Sequence, residues 1–204
     1  MRRDQNLLFI WIPKNGGTSC YHVLQEKFAM KLIMNNYSRF NGRGHVTFGH
    51  AQIAQLLEAG FLPQDYYISA LVFAIVRDPY TRFVALYHDY CHHQLCSGDM
   101  TSLACEIKQA RENPHRVTTP GLYNICEFSQ SACQVDWLLP GCRRLRFEDL
   151  GRQFNAMFGV EIPHLNQKTP DGRAHMDYYD KESIALVNEL YARDFQTLGY
   201  PMIT

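Results

Sequence analysis

Two uninterrupted apolar runs, Leu7–Ile12 and Leu71–Val76, constrain this chain more than any other feature. A strand with one wet face alternates apolar and polar residues, so a strand apolar at every position must be covered on both sides. Such strands belong to parallel sheets sandwiched between helices, and a segment with helical spacing follows each run. After the first, Tyr21, Leu24, Phe28 and Leu32 line one side of a helix predicted from Thr18 to about Leu32. After the second, Asp78 and Pro79 suit the N-cap and N1 positions of a helix over 79–95, with Phe83, Leu86, Tyr87 and Tyr90 at core spacing. Further helices are predicted over Gln52–Ala59, stopped by Gly60, over 101–112 and over Asp149–Phe158. A last helix, capped by Asp180, carries the stripe Ile184, Val187, Tyr191 and Phe195. Arg143–Phe147 reads as a third strand and His45–Gly49 as a short extended piece, whereas 113–130 shows no clear pattern. No repeat or low-complexity linker divides the 204 residues, so 1–204 is read as a single α/β domain.

Composition removes several function classes. Lys+Arg and Asp+Glu are both 20, and a net charge of zero argues against a general binder of nucleic acid or anionic membranes. No apolar run approaches the ~20 residues that cross a bilayer, so no membrane span is expected. The apolar stretch near the N-terminus is too short for a secretory leader, and seven cysteines, an odd number, favour a reducing compartment. The expectation is a cytoplasmic protein. His88, Cys91, His92, His93 and Cys96 lie close together, but no second ligand pair follows at the usual spacing. That stretch reads as a helix end, and no metal is expected. The charge is unevenly spread: residues 1–50 hold seven basic side chains against two acidic ones. Arginine also outnumbers lysine, which suits fixed pairing with phosphate or sulfate.

The junctions after the two apolar runs carry the chemistry. Ile12-Pro13-Lys14-Asn15-Gly16-Gly17-Thr18-Ser19 joins a buried strand to an amphipathic helix. Glycines let the backbone turn inward, the helix start adds free N–H groups and a positive dipole end, and Lys14, Thr18 and Ser19 add donors. Such a junction binds phosphate. The lysine precedes the glycines and nothing matches GxxxxGK[ST], which weakens a Mg²⁺-triphosphate reading. The second junction, Val76-Arg77-Asp78-Pro79-Tyr80-Thr81-Arg82-Phe83, puts Arg77 at a strand's carboxyl end, where open parallel sheets bind ligands. Arg77 is either a second anion contact or a structural bridge. Arg82, four residues after Asp78 on one helix, is read as structural. With strands ~4.8 Å apart, loops on adjacent or next-nearest strands lie within ~10 Å, a fit for a nucleotide phosphorylated on both sides of its ribose.

These segments resemble the sulfotransferase family. Pro13–Ser19 resembles its 5′-phosphosulfate loop and Val76–Phe83 its 3′-phosphate motif. Gly44-His45-Val46-Thr47-Phe48-Gly49-His50, Arg146-Phe147-Glu148-Asp149-Leu150 and the Tyr191–Tyr200 ending are similar to the carbohydrate and heparan-type branch and its bacterial relatives. The resemblance covers most of the chain and is weakest over 97–140. It implies a P-loop-kinase-like three-layer α/β fold, with a central, mainly parallel sheet flanked by helices. It also implies a donor, 3′-phosphoadenosine 5′-phosphosulfate (PAPS), and an acceptor alcohol, a glycan by the same likeness. Lys14 would contact the 5′-phosphate and bridging oxygen, residues Asn15, Gly16, Gly17, Thr18 and Ser19 would cradle that phosphate, and Arg77 would hold the 3′-phosphate. One departure stands out. The family carries a serine eight residues after the arginine, also on the 3′-phosphate, where this chain has Ala85. Ser97, Lys168 and Arg173 are candidate replacements.

By that implication Lys14 stabilises the leaving phosphate and a histidine of near-neutral pKa accepts the acceptor proton. His50 is the expected base and His45 the alternative. His22 is read as packed or solvated on its helix, Glu148 as serving a strand end and Asp149 a helix cap. Arg39 and Arg43 either meet an anionic sugar or are solvated loop charges. Two other readings stand beside the enzyme: a small-molecule kinase, and a nucleotide-binding or interaction domain without catalysis.

Overall fold

The computed structural model describes residues 6–33, 44–47, 52–94, 96, 98–112, 129–162 and 171–204. Its sheet has five strands: β1 (Leu7–Ile10), β2 (Lys31–Ile33), β3 (Gly44–Thr47), β4 (Leu71–Val76) and β5 (Arg143–Arg146). Their spatial order is β2-β3-β1-β4-β5 and every neighbouring pair is parallel. Eight α-helices are described: α1 (Gly17–Phe28), α2 (Ile53–Glu58), α3 (Gln64–Ser69), α4 (Pro79–His92), α5 (Met100–Glu112), α6 (Leu150–Phe158), α7 (Lys181–Leu190) and α8 (Ala192–Leu198).

The period of two along each strand divides the core into two layers. Leu8 and Ile10 of β1, with Val72, Ala74 and Val76 of β4, pack against residues of α2, α3, α4, α5, α7 and α8. Leu7 and Phe9, with Phe73 and Ile75, face α1 and α6 on the other side. Phe9 and Phe73 stack across that layer with centroids 5.1 Å apart. The result is a three-layer α/β architecture, the helix-covered parallel sheet that the two apolar runs predict and the P-loop-kinase-like arrangement that the resemblance implies. β5 closes one edge with Leu145 buried and Arg143, Arg144 and Arg146 exposed, which blunts the edge with charge. No helix among the described residues is long and apolar enough to cross a membrane.

The strand order positions the cleft. From β1 the chain crosses through α1 to β2 on one side, whereas after β4 it continues to β5 on the other. The tips of β1 and β4 are therefore neighbours whose following helices diverge, the crevice in which such sheets bind ligands.

Local departures from the expected elements have local causes. The first helix stops at Phe28 because Ala29 turns left-handed (φ 51°), its N–H and that of Met30 closing on Gln25 and Leu24 carbonyls. Leu32 thus belongs to β2 and not to the helix stripe. Six-residue α3 is too short to show a period, and sequence patterning missed it. The last helix is two: the Leu190 carbonyl accepts from Arg111 Nη1 (2.6 Å) and Cys133 Sγ (3.4 Å), and the chain bends at Tyr191 before α8 begins. Phe147 opens a 3₁₀ turn and does not extend β5. Asp149 stands at the N-cap of α6, but its carboxylate pairs with Arg152 and caps nothing.

Arg82 is structural, though not through Asp78. Fully buried, its guanidinium donates to the carbonyls of Pro13 (3.2 Å), Ala132 (3.0 Å) and Gln130 (2.7 Å), pinning the loop after β1 to the segment before β5. Arg82→Ala would strand three carbonyls and is expected to cost about 3–5 kcal/mol of unfolding free energy. Urea denaturation monitored by tryptophan fluorescence measures that loss.

Candidate active site

The loop after β1 is shaped by two left-handed residues, Lys14 (φ 65°) and Gly16 (φ 79°). Glycine takes that conformation freely, but at Lys14 it costs about 1–2 kcal/mol, so the surroundings must impose it. Gly17 has a different reason to lack a side chain: a Cβ there would lie 2.2 Å from Trp11 Nε1. Trp11 N in turn donates to Thr47 Oγ1 at 3.0 Å, tying the tips of β1 and β3. Gly16 is the N-cap of α1 and provides no capping side chain, so the first-turn N–H groups are left to a ligand or water. Thr18 is exposed and Ser19 half-buried in that turn.

Arg77, at the tip of β4, leans directly on this loop. Its Nη1 donates to the Lys14 carbonyl (3.1 Å) and its Nε to Thr81 Oγ1 (3.1 Å). Nη2 lies 3.4 Å from His175 Nε2, and Phe147 supports the guanidinium face at 4.2 Å. Only 7% of Arg77 is exposed. Burial pushes its pKa down to about 10, with Glu148 and Asp78 opposing the shift and Arg82 adding to it.

Gln134 joins the two loops, and sequence reasoning missed it. Its wholly buried Oε1 accepts from Asn15 Nδ2 (2.7 Å) and Arg77 N (2.8 Å), while Nε2 donates to Arg77 O (2.8 Å). Asn15 Nδ2 also reaches Ile75 O at 2.7 Å. Asp194 of α8 fixes Gln134 by accepting from its backbone N (2.9 Å), its Nε2 (3.3 Å) and Val135 N (3.0 Å). Glu148 braces the far side, accepting from Asp78 N (2.7 Å) and Tyr200 Oη (3.0 Å), in keeping with a strand-end role.

The expected site residues thus fall into distinct settings. Lys14, Gly16, Gly17, Thr18, Ser19 and Arg77 gather around the adjacent tips of β1 and β4. Asn15 is with them, but its buried side chain bonds Ile75 O and Gln134 Oε1 within the protein. The Lys14 ammonium pairs with Asp89 of α4. His45 lies inside β3, in register with Leu8 and edge-on to Tyr66, below the strand tips. His50, Arg39, Arg43, Ser97 and Lys168 lie outside the described residues. Arg173 pairs with Asp171 (2.7 Å) and covers the Tyr178 ring. Half-buried Ala85 sits on α4 midway between Thr81 and Asp89. His22 is exposed beside Tyr21. Of the histidine–cysteine stretch, His88 contacts Tyr178 Oη (3.0 Å) and His93 lies 3.8 Å from Asp89. Among the described residues, no three His, Cys, Asp or Glu side chains converge where a metal would sit.

Asp89, Gln134, His175 and Asp194 were all missed by sequence reasoning. Each acts through a partner at least 60 residues away, and only Asp194, a lone acid beside the Tyr191–Phe195 stripe, marks itself in the pattern.

Two outcomes test this geometry. Gln134→Ala leaves Asn15 and both backbone groups of Arg77 without their partner and should lower stability by about 3 kcal/mol or more, read from the denaturation midpoint. His175 is held below its ordinary 6.5 by burial first, then by Arg77 and His88, and His88 is lowered chiefly by burial. The unfolded chain then binds protons that the native state refuses, so stability falls as pH drops through and below 6.5. His175→Gln should flatten that fall between pH 7 and 5, as followed by thermal melts.

One family model covers more than half of the chain. The family model described as "Sulfotransferase family" matches residues 1–130. The crystal structure of a sulfotransferase from Alicyclobacillus acidocaldarius is similar over 95% of this chain and 98% of that one, with 15% identity and a TM-score of 0.46. No curated protein matches the chain.

Proposed function

The chain belongs to the sulfotransferase family, and we propose that it moves a sulfuryl group from PAPS to an acceptor hydroxyl, on a carbohydrate. One observation carries the reading: Arg77 Nη1 donates to the Lys14 carbonyl at 3.1 Å, so the two anion loops share one cleft. A ligand with phosphate groups on both sides of one ribose would span them. Its 5′ end would lie at the uncapped start of α1, among the backbone of residues 15–17, Thr18, Ser19 and Lys14. Its 3′-phosphate would meet Arg77, whose burial strengthens any pairing with an anion.

Sulfuryl transfer needs little from the protein beyond alignment and charge stabilisation. Lys14 and the α1 N–H groups would take up negative charge on the leaving phosphate as the S–O bond breaks. His50 is proposed to accept the acceptor's proton. His45 is the weaker candidate, because it is buried inside β3 and not at a tip. The carbohydrate acceptor rests on the likeness to the glycan-modifying branch. The cytoplasmic setting rests on the odd number of cysteines.

Calorimetry should show 3′,5′-bisphosphoadenosine binding without Mg²⁺ and in strong preference to ATP, and the reverse preference would favour a kinase. With labelled donor and an acceptor panel, Lys14→Ala should lower kcat about 10²–10³-fold and His50→Ala about 10²–10⁴-fold. Unchanged turnover in His50→Ala would remove that residue as the base.

A further inference from the structure

The two cations of the cleft are held in opposite ways. The direct contacts of the Arg77 guanidinium among the described residues are neutral: a carbonyl, a hydroxyl, an imidazole and a phenyl face. The Lys14 ammonium instead forms an ion pair with Asp89. The Asp89 side chain is 16% exposed and that of Lys14 28%, so the pair is largely shielded and yet open to exchange. Thr81, Ala85 and Asp89 follow one another at steps of four along α4, on one face of the helix. The row runs from the hydroxyl that orients Arg77 to the carboxylate that holds Lys14, with only the methyl group of Ala85 between them.

We propose that Asp89 is a latch on Lys14. The carboxylate holds the ammonium against α4, and an anion at the start of α1 recruits Lys14 only by displacing it. The inference rests on the PAPS reading above and deepens it by assigning Asp89 as a positioning residue that acts through Lys14. Whatever free energy holds the ion pair is subtracted from the affinity of every ligand that needs Lys14. The bisphosphate product of sulfuryl transfer is such a ligand, so the latch weakens its grip and shortens its stay as the ammonium returns to Asp89. Product release limits turnover in many enzymes. Arg77, with no comparable competitor among its direct contacts, engages its phosphate first, and the Lys14 end follows by exchange.

The test is calorimetry and stopped-flow displacement with 3′,5′-bisphosphoadenosine on the wild type, Asp89→Asn, Asp89→Glu, Lys14→Met and the Lys14→Met/Asp89→Asn double variant. Asp89→Asn should bind about five- to tenfold tighter, with the gain in slower dissociation, an improvement that structural damage would not produce. Asp89→Glu, which keeps the carboxylate, should stay within about twofold of wild type. In the Lys14→Met background, Asp89→Asn should change affinity by less than about twofold. Unchanged or weaker binding by Asp89→Asn would overturn the latch. Equal tightening with and without Lys14 would overturn it too, since the carboxylate would then act on the ligand directly. A wild type that binds no bisphosphate would defeat the PAPS assignment and the latch with it, an outcome distinct from both.

Discussion

One buried carboxamide holds the cleft together. Parallel strands align their tips through the ladder, but nothing in a ladder fixes the loops beyond it. Gln134 extends the register past the sheet by bonding the Asn15 side chain and both backbone groups of Arg77. Its own orientation is unambiguous, because Arg77 N requires the oxygen and Arg77 O the amide nitrogen. Asp194 then fixes Gln134 from α8, and that reach depends on the bend at Tyr191, where Arg111 and Cys133 take the Leu190 carbonyl out of the helix ladder. A distortion near the C-terminus is thus physically connected to the geometry of a loop near the N-terminus.

The same network lets a chain of zero net charge hold a buried arginine against the loop after β1. Burying the Arg77 guanidinium strips it of water, which pushes its pKa down, and the fold offsets this with aimed neutral dipoles and the face of Phe147. Arg82, one turn along α4, is buried too, but with its donors turned to three carbonyls it serves as scaffold. Two arginines five residues apart therefore have different fates, decided by what lies across from each. Lys14 is neutralised in a third way, by a carboxylate that can let go.

Much of this was legible in the residues. Leu71–Val76 is a strand with the bounds its apolar run implies, and Asp78 caps α4, accepting from Thr81 N at 2.9 Å, as its place before Pro79 suggests. The glycine pair marks a turn at a helix start, and Arg77 at the end of an apolar run marks a strand tip. Such features depend on chemistry within a few residues, where backbone freedom, helix periodicity and capping operate. The three-residue β2 and six-residue α3 escaped because neither is long enough to repeat its period and so stand out as a pattern.

From its amino acids alone the chain was bound to form buried parallel strands, two of them opening into helices through tight, polar loops, because apolar patterning, capping and glycine geometry are local properties. Only the folded chain could decide which remote side chains complete those loops. Gln134 meets Asn15 across 119 residues and Asp89 meets Lys14 across 75, and neither pairing leaves a trace in the spacing around it. Contacts of that kind are set by how layers pack on a sheet. The order of the strands and the break between α7 and α8 bring them together.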